Sequence, residues 1–220
     1  MKLIGLSLSC IWLILMAAKF VATARHDDSN APVLDTTGKP LRRGMEYFIY
    51  PAASESGGPF TLIDRDGSCP FYVGQRNVTV DGIPVTFAPY VEGENVVRKL
   101  KKFKVAFSGA TSCVQSTTWK VSGFDTVSGR RLIGTGDVAA PGFDNYFYIS
   151  TFQDFDNIYT LEWCPAELCP TCFFVCGSVG LLFENGQRLF ALDGNGSGFP
   201  FTGTFPVVFG RANNIKFHEV

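Results

Sequence analysis

Cys164, Cys169, Cys172 and Cys176 are spaced C-x4-C-x2-C-x3-C, and that spacing admits three chemistries. Four thiolates could cage a zinc ion. Cys169-Pro170-Thr171-Cys172 has the C-x-x-C form of a thiol oxidoreductase, whose reactive sulfur needs a helix N-terminus or a neighbouring cation to stabilise its thiolate. In an exported protein the same residues form disulfides and hold a loop still. The sequence favours the third chemistry, because Phe173-Phe174-Val175-Cys176-Gly177 is short and β-rich rather than helical, and because the chain opens on an export signal.

In that signal, Met1-Lys2 precede an apolar run of about 16 residues from Leu3 to Ala18, and Ala22-Thr23-Ala24 has the small-x-small form that a signal peptidase cleaves. The run falls short of the ~20 residues that span a bilayer. Residues 1–24 are therefore expected to be a signal peptide and residues 25–220 one domain, free of the membrane after cleavage. The expected location is secreted, extracellular or apoplastic, with the vacuole as a further possible destination.

Cys10 leaves with the leader, and six cysteines remain. Six thiols allow fifteen pairings, which counting alone does not resolve. The spacing suggests Cys164 with Cys176 as an outer ring and Cys169 with Cys172 as an inner one, leaving Cys69 with Cys113.

Other catalytic sets are weak. The mature chain holds only His26 and His218, each beside a terminus, so a Ser-His or Cys-His mechanism would rest on a frayed end. Asp64 with Asp66 and Asp154 with Asp156 are spaced for acid–base work, but they lie in turn-like contexts that favour Asp for its bonds to nearby backbone. No enzyme, metal or cofactor is expected. Without the leader the balance is 17 basic to 20 acidic residues, a net charge of −3, which argues against a nucleic-acid partner. The basic run from Arg98 to Lys104 is interleaved with Leu100 and Phe103 and reads as the solvated side of a strand approach.

The elements that must position all of this are strands. Runs rich in Val, Ile, Phe, Tyr and Thr occupy 46–51, 60–64, 72–75, 84–89, 103–107, 119–121, 131–135, 147–152, 159–164, 180–183, 188–192 and 206–209, with Gly, Pro, Asn and Asp between them. Asn185-Gly186 marks a tight hairpin. No segment after the leader has clean helical periodicity. About twelve short strands suit a closed or sandwiched all-β body; a β-trefoil fits the number, and a jelly roll fits it too.

Ala31-Pro32-Val33-Leu34-Asp35-Thr36-Thr37-Gly38-Lys39-Pro40-Leu41, then Gly44-Met45-Glu46-Tyr47-Phe48-Ile49, resembles the opening signature of the plant Kunitz-type protease inhibitors, the soybean trypsin inhibitor group. Cys69-Pro70, Val96-Val97-Arg98, Cys113 before Thr118-Trp119, Leu161-Glu162-Trp163-Cys164-Pro165 and Arg188-Leu189-Phe190-Ala191-Leu192 extend the likeness over nearly the whole mature chain. Three bridges make it most similar to the miraculin-like branch. The resemblance implies a β-trefoil stapled by three disulfides, and a partner that is an endopeptidase of the serine or cysteine class, met by a monomer.

It also implies a reactive loop around Ala88, Pro89, Tyr90, Val91 and Glu92, entering a protease cleft as a substrate would. Two residues depart from the family pattern. Val91 stands where trypsin-directed members carry Arg or Lys, so an acidic specificity pocket finds no cation. Arg43 stands where the family uses an asparagine to brace the loop from beneath. Strong trypsin inhibition is not expected. The alternative is a non-inhibitory storage or defence protein, or a binder of a small ligand such as a sugar or pigment. Trp119 and Trp163 could stack on such a ligand, although their apolar neighbours place them in the core. Asn77-Val78-Thr79 and Asn195-Gly196-Ser197 fit the N-glycosylation pattern.

Overall fold

The structure is a computed structural model that describes residues 30–67, 69–76, 82–109, 112–113, 116–138, 142–153, 155–194 and 203–212. Twelve strands follow one another: β1 (Tyr47–Pro51), β2 (Phe60–Ile63), β3 (Tyr72–Gln75), β4 (Val85–Pro89), β5 (Phe103–Phe107), β6 (Trp119–Asp125), β7 (Arg130–Thr135), β8 (Phe147–Thr151), β9 (Tyr159–Trp163), β10 (Gly177–Glu184), β11 (Gln187–Gly194) and β12 (Val207–Arg211). Helix is confined, among the described residues, to three single 3-10 turns at Ser54–Ser56, Phe143–Asn145 and Pro165–Glu167.

Each run read as a strand is one. The differences are of length: the 119–121 run opens the seven-residue β6, and the 180–183 run lies inside an eight-residue strand, because β10 and β11 pair without a break from Gly177↔Gly194 to Glu184↔Gln187. Cross-strand bonding there carries Gly177, Ser178 and Glu184 into the ladder against their weak strand propensity. The turn at its tip has Asn185 at φ 49° and Gly186 at φ 76°, the left-handed pair that a two-residue hairpin requires.

Pairing closes six strands into a ring: β1–β4, β4–β5, β5–β8, β8–β9, β9–β12 and β12–β1. The other six form the hairpins β2–β3, β6–β7 and β10–β11, and these pair with one another through Tyr72↔Gly134, Ala191↔Leu132 and Arg188↔Gln75. The chain is thus three consecutive four-strand units, each giving its outer strands to the barrel and its inner hairpin to a cap, which is a β-trefoil. A closed ring has no edge to protect.

Alternation along the barrel strands fills the interior. Tyr47, Ile49, Val85, Phe87, Phe103, Val105, Phe147, Ile149, Tyr159, Leu161, Trp163, Val207 and Phe209 are all at most 1% exposed, as period-two patterning over one buried face demands. Under the cap, Phe60 stacks on Phe190 at 4.0 Å and on Trp119 at 5.9 Å. Arg65 pins the three hairpins together: it bonds Glu184 at 2.6 and 2.7 Å and Asp125 at 3.1 and 3.3 Å, with one partner from each of the other two units. The hydrogen bond from Arg65 is the main reason the Asp125 pKa falls to about 2.

At the opening of the chain the Asp35 side chain is fully buried. Its Oδ1 accepts from the Thr37 and Lys39 amides and the Thr37 hydroxyl, and its Oδ2 accepts from Arg211 Nε at 2.5 Å. The Asp-Thr-Thr-Gly sequence is therefore a turn that ties the N-terminal segment to the last strand. Disulfides join Cys69–Cys113, Cys164–Cys176 and Cys169–Cys172.

Candidate functional site

The barrel presents two constrained loops, one after β4 and one after β9. Ala88 and Pro89, expected in the first loop, are instead the end of β4, paired with Lys104 and Phe103 of β5. Pro89 is buried and Ala88 half-buried. They close the 84–89 strand run, and the ladder ends with them, because β5 begins at Phe103 opposite Pro89. The exposed turn begins at Tyr90.

Tyr90 donates its amide to the Lys102 carbonyl at 2.8 Å and sets its ring edge-on to Tyr146 at 5.1 Å. Tyr90 and Val91 are each 55% exposed, and Glu92 is exposed. The chain then folds back, with the Glu94 amide donating to the Val91 carbonyl at 3.3 Å and Gly93 at φ 79°. That φ at the third position belongs to a type II turn, which needs glycine there.

Arg43 reaches under this turn from the N-terminal segment. Its Nη2 donates to the Pro89 carbonyl at 2.8 Å and to the Val91 carbonyl at 3.2 Å, while its Nε donates to the Glu94 carbonyl at 2.9 Å. Its own amide donates to the Asn95 carbonyl. Arg43, which stands where the family uses a bracing asparagine, grips three carbonyls with its guanidinium fork, whose five donors lie in one plane. The grip has a chemical consequence. A serine protease attacks a carbonyl whose oxygen enters its oxyanion hole, and the Val91 carbonyl already accepts two bonds, one from Arg43 and one from the Glu94 amide.

The second loop leaves β9 at Cys164 and returns to β10 at Cys176. The Pro165–Glu167 turn is continued by Leu168 and Cys169 amides donating to the Pro165 carbonyl, and the Cys172 amide donates to the Cys169 carbonyl. The Cys169–Cys172 bridge lies inside the Cys164–Cys176 ring. Phe174 turns inward, edge-on to Trp163 at 5.7 Å and Phe143 at 5.9 Å. Its neighbours Phe173 and Val175 are exposed.

Lys102 connects the bases of both loops. Its backbone carbonyl holds Tyr90, and its ammonium donates to the Cys164 carbonyl at 2.7 Å while lying 4.1 Å from the Tyr148 ring centroid. Burial pushes its pKa down, against the pull of Glu167 and Glu162. The basic run is therefore not wholly a solvated face: Lys102 is a half-buried tie, and Lys104 lies 4.9 Å over the Tyr146 ring.

The remaining candidates are structural or lie elsewhere. Trp119 and Trp163 are 0% exposed, so neither ring can meet a ligand at the surface. Asp64 accepts from the Gly67 amide at 2.6 Å, the turn-forming use of an aspartate. His26, His218, Asp154 and both sequons, Asn77 and Asn195, lie outside the described residues. Among the described residues no group of three or more His, Cys, Asp or Glu is placed to hold a metal, and no helix is long and apolar enough to cross a membrane.

Residues 33–206 match the family model described as trypsin and protease inhibitor, the legume Kunitz family. Kunitz type trypsin inhibitor 106 of Medicago truncatula is 40% identical over 181 residues, which are 80% of this chain and 85% of that protein. Miraculin of Synsepalum dulcificum is 31% identical over 93% of this chain and 97% of its own length. Among solved structures, a Kunitz-type cysteine protease inhibitor from potato superposes with a TM-score of 0.71 at 28% identity, covering 84% of this chain and all of that one. The chain belongs to the legume Kunitz family of trypsin and protease inhibitors, a family of inhibitors and not of enzymes.

Proposed function

We propose that this protein is a secreted inhibitor that obstructs the active site of an endopeptidase with a rigid exposed loop, and that trypsin is not its principal target. The observation that carries the reading is the Arg43 grip on the carbonyls of Pro89, Val91 and Glu94. A turn fixed before encounter does not have to be ordered on binding, which removes much of the entropic cost of association. It offers Tyr90 and Val91 to an apolar pocket, with Glu92 beside them.

The relatives divide on target. The Medicago truncatula relative is named a trypsin inhibitor and the potato structure is titled a cysteine protease inhibitor. Val91 supplies no cation for a trypsin pocket. Its carbonyl is held from within, so the turn acts as a wedge and does not present the Val91–Glu92 bond for attack. The export signal at 1–24 and the disulfides favour a site of action outside the cytosol, with defence as the role.

Titration against trypsin, chymotrypsin, elastase, papain and pepsin tests the reading. Stoichiometric loss of one of the last four activities is the expected result. Uniform indifference would overturn it and favour a storage role. Val91→Arg alone is expected to gain little trypsin inhibition, because the carbonyl stays tied; Val91→Arg with Arg43→Asn is expected to gain more. Equal behaviour of the two variants would show that the Arg43 grip does not govern presentation.

A further inference from the structure

Charge in this chain is segregated. Residues 39–43 and 98–104 carry eight cations and no acid, while the rest of residues 25–220 carry nine cations against 20 acids. The fold brings the two basic runs together. Segments 31–35, 39–43 and 95–99 lace into a triangle in which Val33 donates its amide to the Val97 carbonyl at 2.9 Å, Val97 to Leu41 at 2.9 Å and Leu41 to Val33 at 2.8 Å. Those three side chains are at most 1% exposed. Alternation turns their neighbours outward, and Arg42 and Arg98 stand on that outer side, opposite Val96 and Pro32.

Four of the eight cations are already engaged. Arg43 grips the turn, Arg98 pairs with Glu94 at 2.9 Å, Lys102 bonds the Cys164 carbonyl and Lys104 lies over Tyr146. The side chains of Lys39, Arg42, Lys99 and Lys101 make no hydrogen bond or ion pair among the described residues. Lys99 is half-buried and the other three are exposed. Their backbone is fixed before any partner arrives. Leu100, between two of the lysines, sits at φ 57° with its amide on the Ile149 carbonyl, and the Lys101 amide donates to the Arg98 carbonyl. A residue with a Cβ disfavours that left-handed conformation, so the turn that presents Lys99 and Lys101 is held in place by its surroundings.

We infer that this basic face binds an extended polymer of carboxylates, a polyuronate. Like charges on a fixed frame repel one another, and a polyanion lying across them relieves the repulsion and releases its own counterions. The four unpaired cations come from separate segments and do not converge on the groove of about 400 Å³, which is lined by Asp64, Gln75, Arg76 and Arg188 in the cap. The fitting ligand is therefore long and repetitive. Three of the four are lysines, whose ammoniums are hydrated point charges and suit repeated carboxylates better than the bidentate phosphate that arginine favours. The acid excess over the rest of the molecule repels the same polymer and confines contact to this face.

The test uses the chain from Arg25 onward with polygalacturonate, its neutral methyl ester and a DNA duplex. Wild-type protein is expected to bind polygalacturonate and not the ester. Its association constant should fall by roughly 50-fold between about 50 and about 200 mM salt, as four cations displacing ~0.7 counterion each imply. Lys99→Glu with Lys101→Glu should weaken binding by at least about 30-fold, as for two contacting cations lost and reversed, and Lys99→Gln with Lys101→Gln should weaken it less, with Tm unchanged in both. Arg76→Glu with Lys120→Glu, the same change in net charge at the cap hairpins, should leave binding within about threefold of wild type. Equal loss in the two Glu pairs would overturn the inference, since total charge and not this face would then govern binding. No binding at 50 mM salt, equal binding of the ester, or tighter binding of the DNA would overturn it as well. None of these outcomes involves a protease, so the inhibitory reading stands or falls apart from them.

Discussion

Between Tyr90 and Asn95 the backbone is held by hydrogen bonds that consume its carbonyls; between Cys164 and Cys176 it is held by two covalent rings that leave Phe173–Val175 unbonded. Both loops are constrained, but they offer different things. The first shows side chains on a closed turn, and the second shows side chains together with free amides and carbonyls. Rigidity alone therefore does not make a segment resemble a substrate. What matters is whether the bracing uses the same atoms that a protease would bind.

Removing the outer ring breaks the comparison most severely. Cys164→Ala with Cys176→Ala is expected to cost about 3 kcal/mol and to lower Tm by roughly 6–12 °C, measured by calorimetry. The second loop would then be open to proteolytic nicking, while the Val91 turn keeps its protection. A loss of protection at both loops would show that they share one folding unit.

Acid separates the loops from the scaffold that carries them. The cystines do not titrate, but Asp125 does. Its folded pKa of about 2 lies below the ordinary 3.8, so its contribution is full above about pH 4 and is lost as pH falls towards 2. The loss is on the order of 1–2 kcal/mol. Asp35 acts in the same sense, because its burial, which raises its pKa, is outweighed by hydrogen bonds from Thr37, Lys39 and Arg211. Thermal unfolding from pH 5 to 2 should show Tm falling only in the lower half of that range. Arg65→Met should flatten the fall; an unchanged profile would locate the acid-sensitive group elsewhere.

Arg43→Ala sharpens the comparison at about 1 kcal/mol or less, since the grip is partly solvated. Its larger readout is faster proteolytic nicking between Tyr90 and Asn95, with the second loop unaffected. Lys102→Met is the smallest change, about 0.5–1 kcal/mol, and it should loosen the second loop alone, because the ammonium supports Cys164 whereas Tyr90 is held by the Lys102 backbone carbonyl. Amide exchange at Tyr90 and Cys169 measures whether the two loops respond together.

Much of this was legible in the residues. All twelve strands follow from β-branched and aromatic runs between Gly, Pro and Asn breakers, and Asn185-Gly186 marked its hairpin. The threefold plan was not legible in the runs themselves, because it lies in which hairpins pair, and contacts such as Tyr72↔Gly134 join residues far apart in sequence. The 84–89 and 103–107 runs are legible as strands, but that they pair with each other through Ala88↔Lys104 and Pro89↔Phe103 is not written in either run. Arg43 was read by what it replaces; its reach to three carbonyls depends on a bridge between Arg42 and Val96 that brings the segments together. Phe173 left one usable signal. Three apolar residues stand in a row between two cysteines, and an extended segment can bury only the middle one.

The most direct test of the account is to incubate the protein with a catalytic amount of chymotrypsin to equilibrium, reduce it, and map any new termini by mass. The account predicts that the Val91–Glu92 bond stays intact in protein that still inhibits, because Arg43 holds the Val91 carbonyl. A cut between Val91 and Glu92, or complete digestion without inhibition, would contradict it.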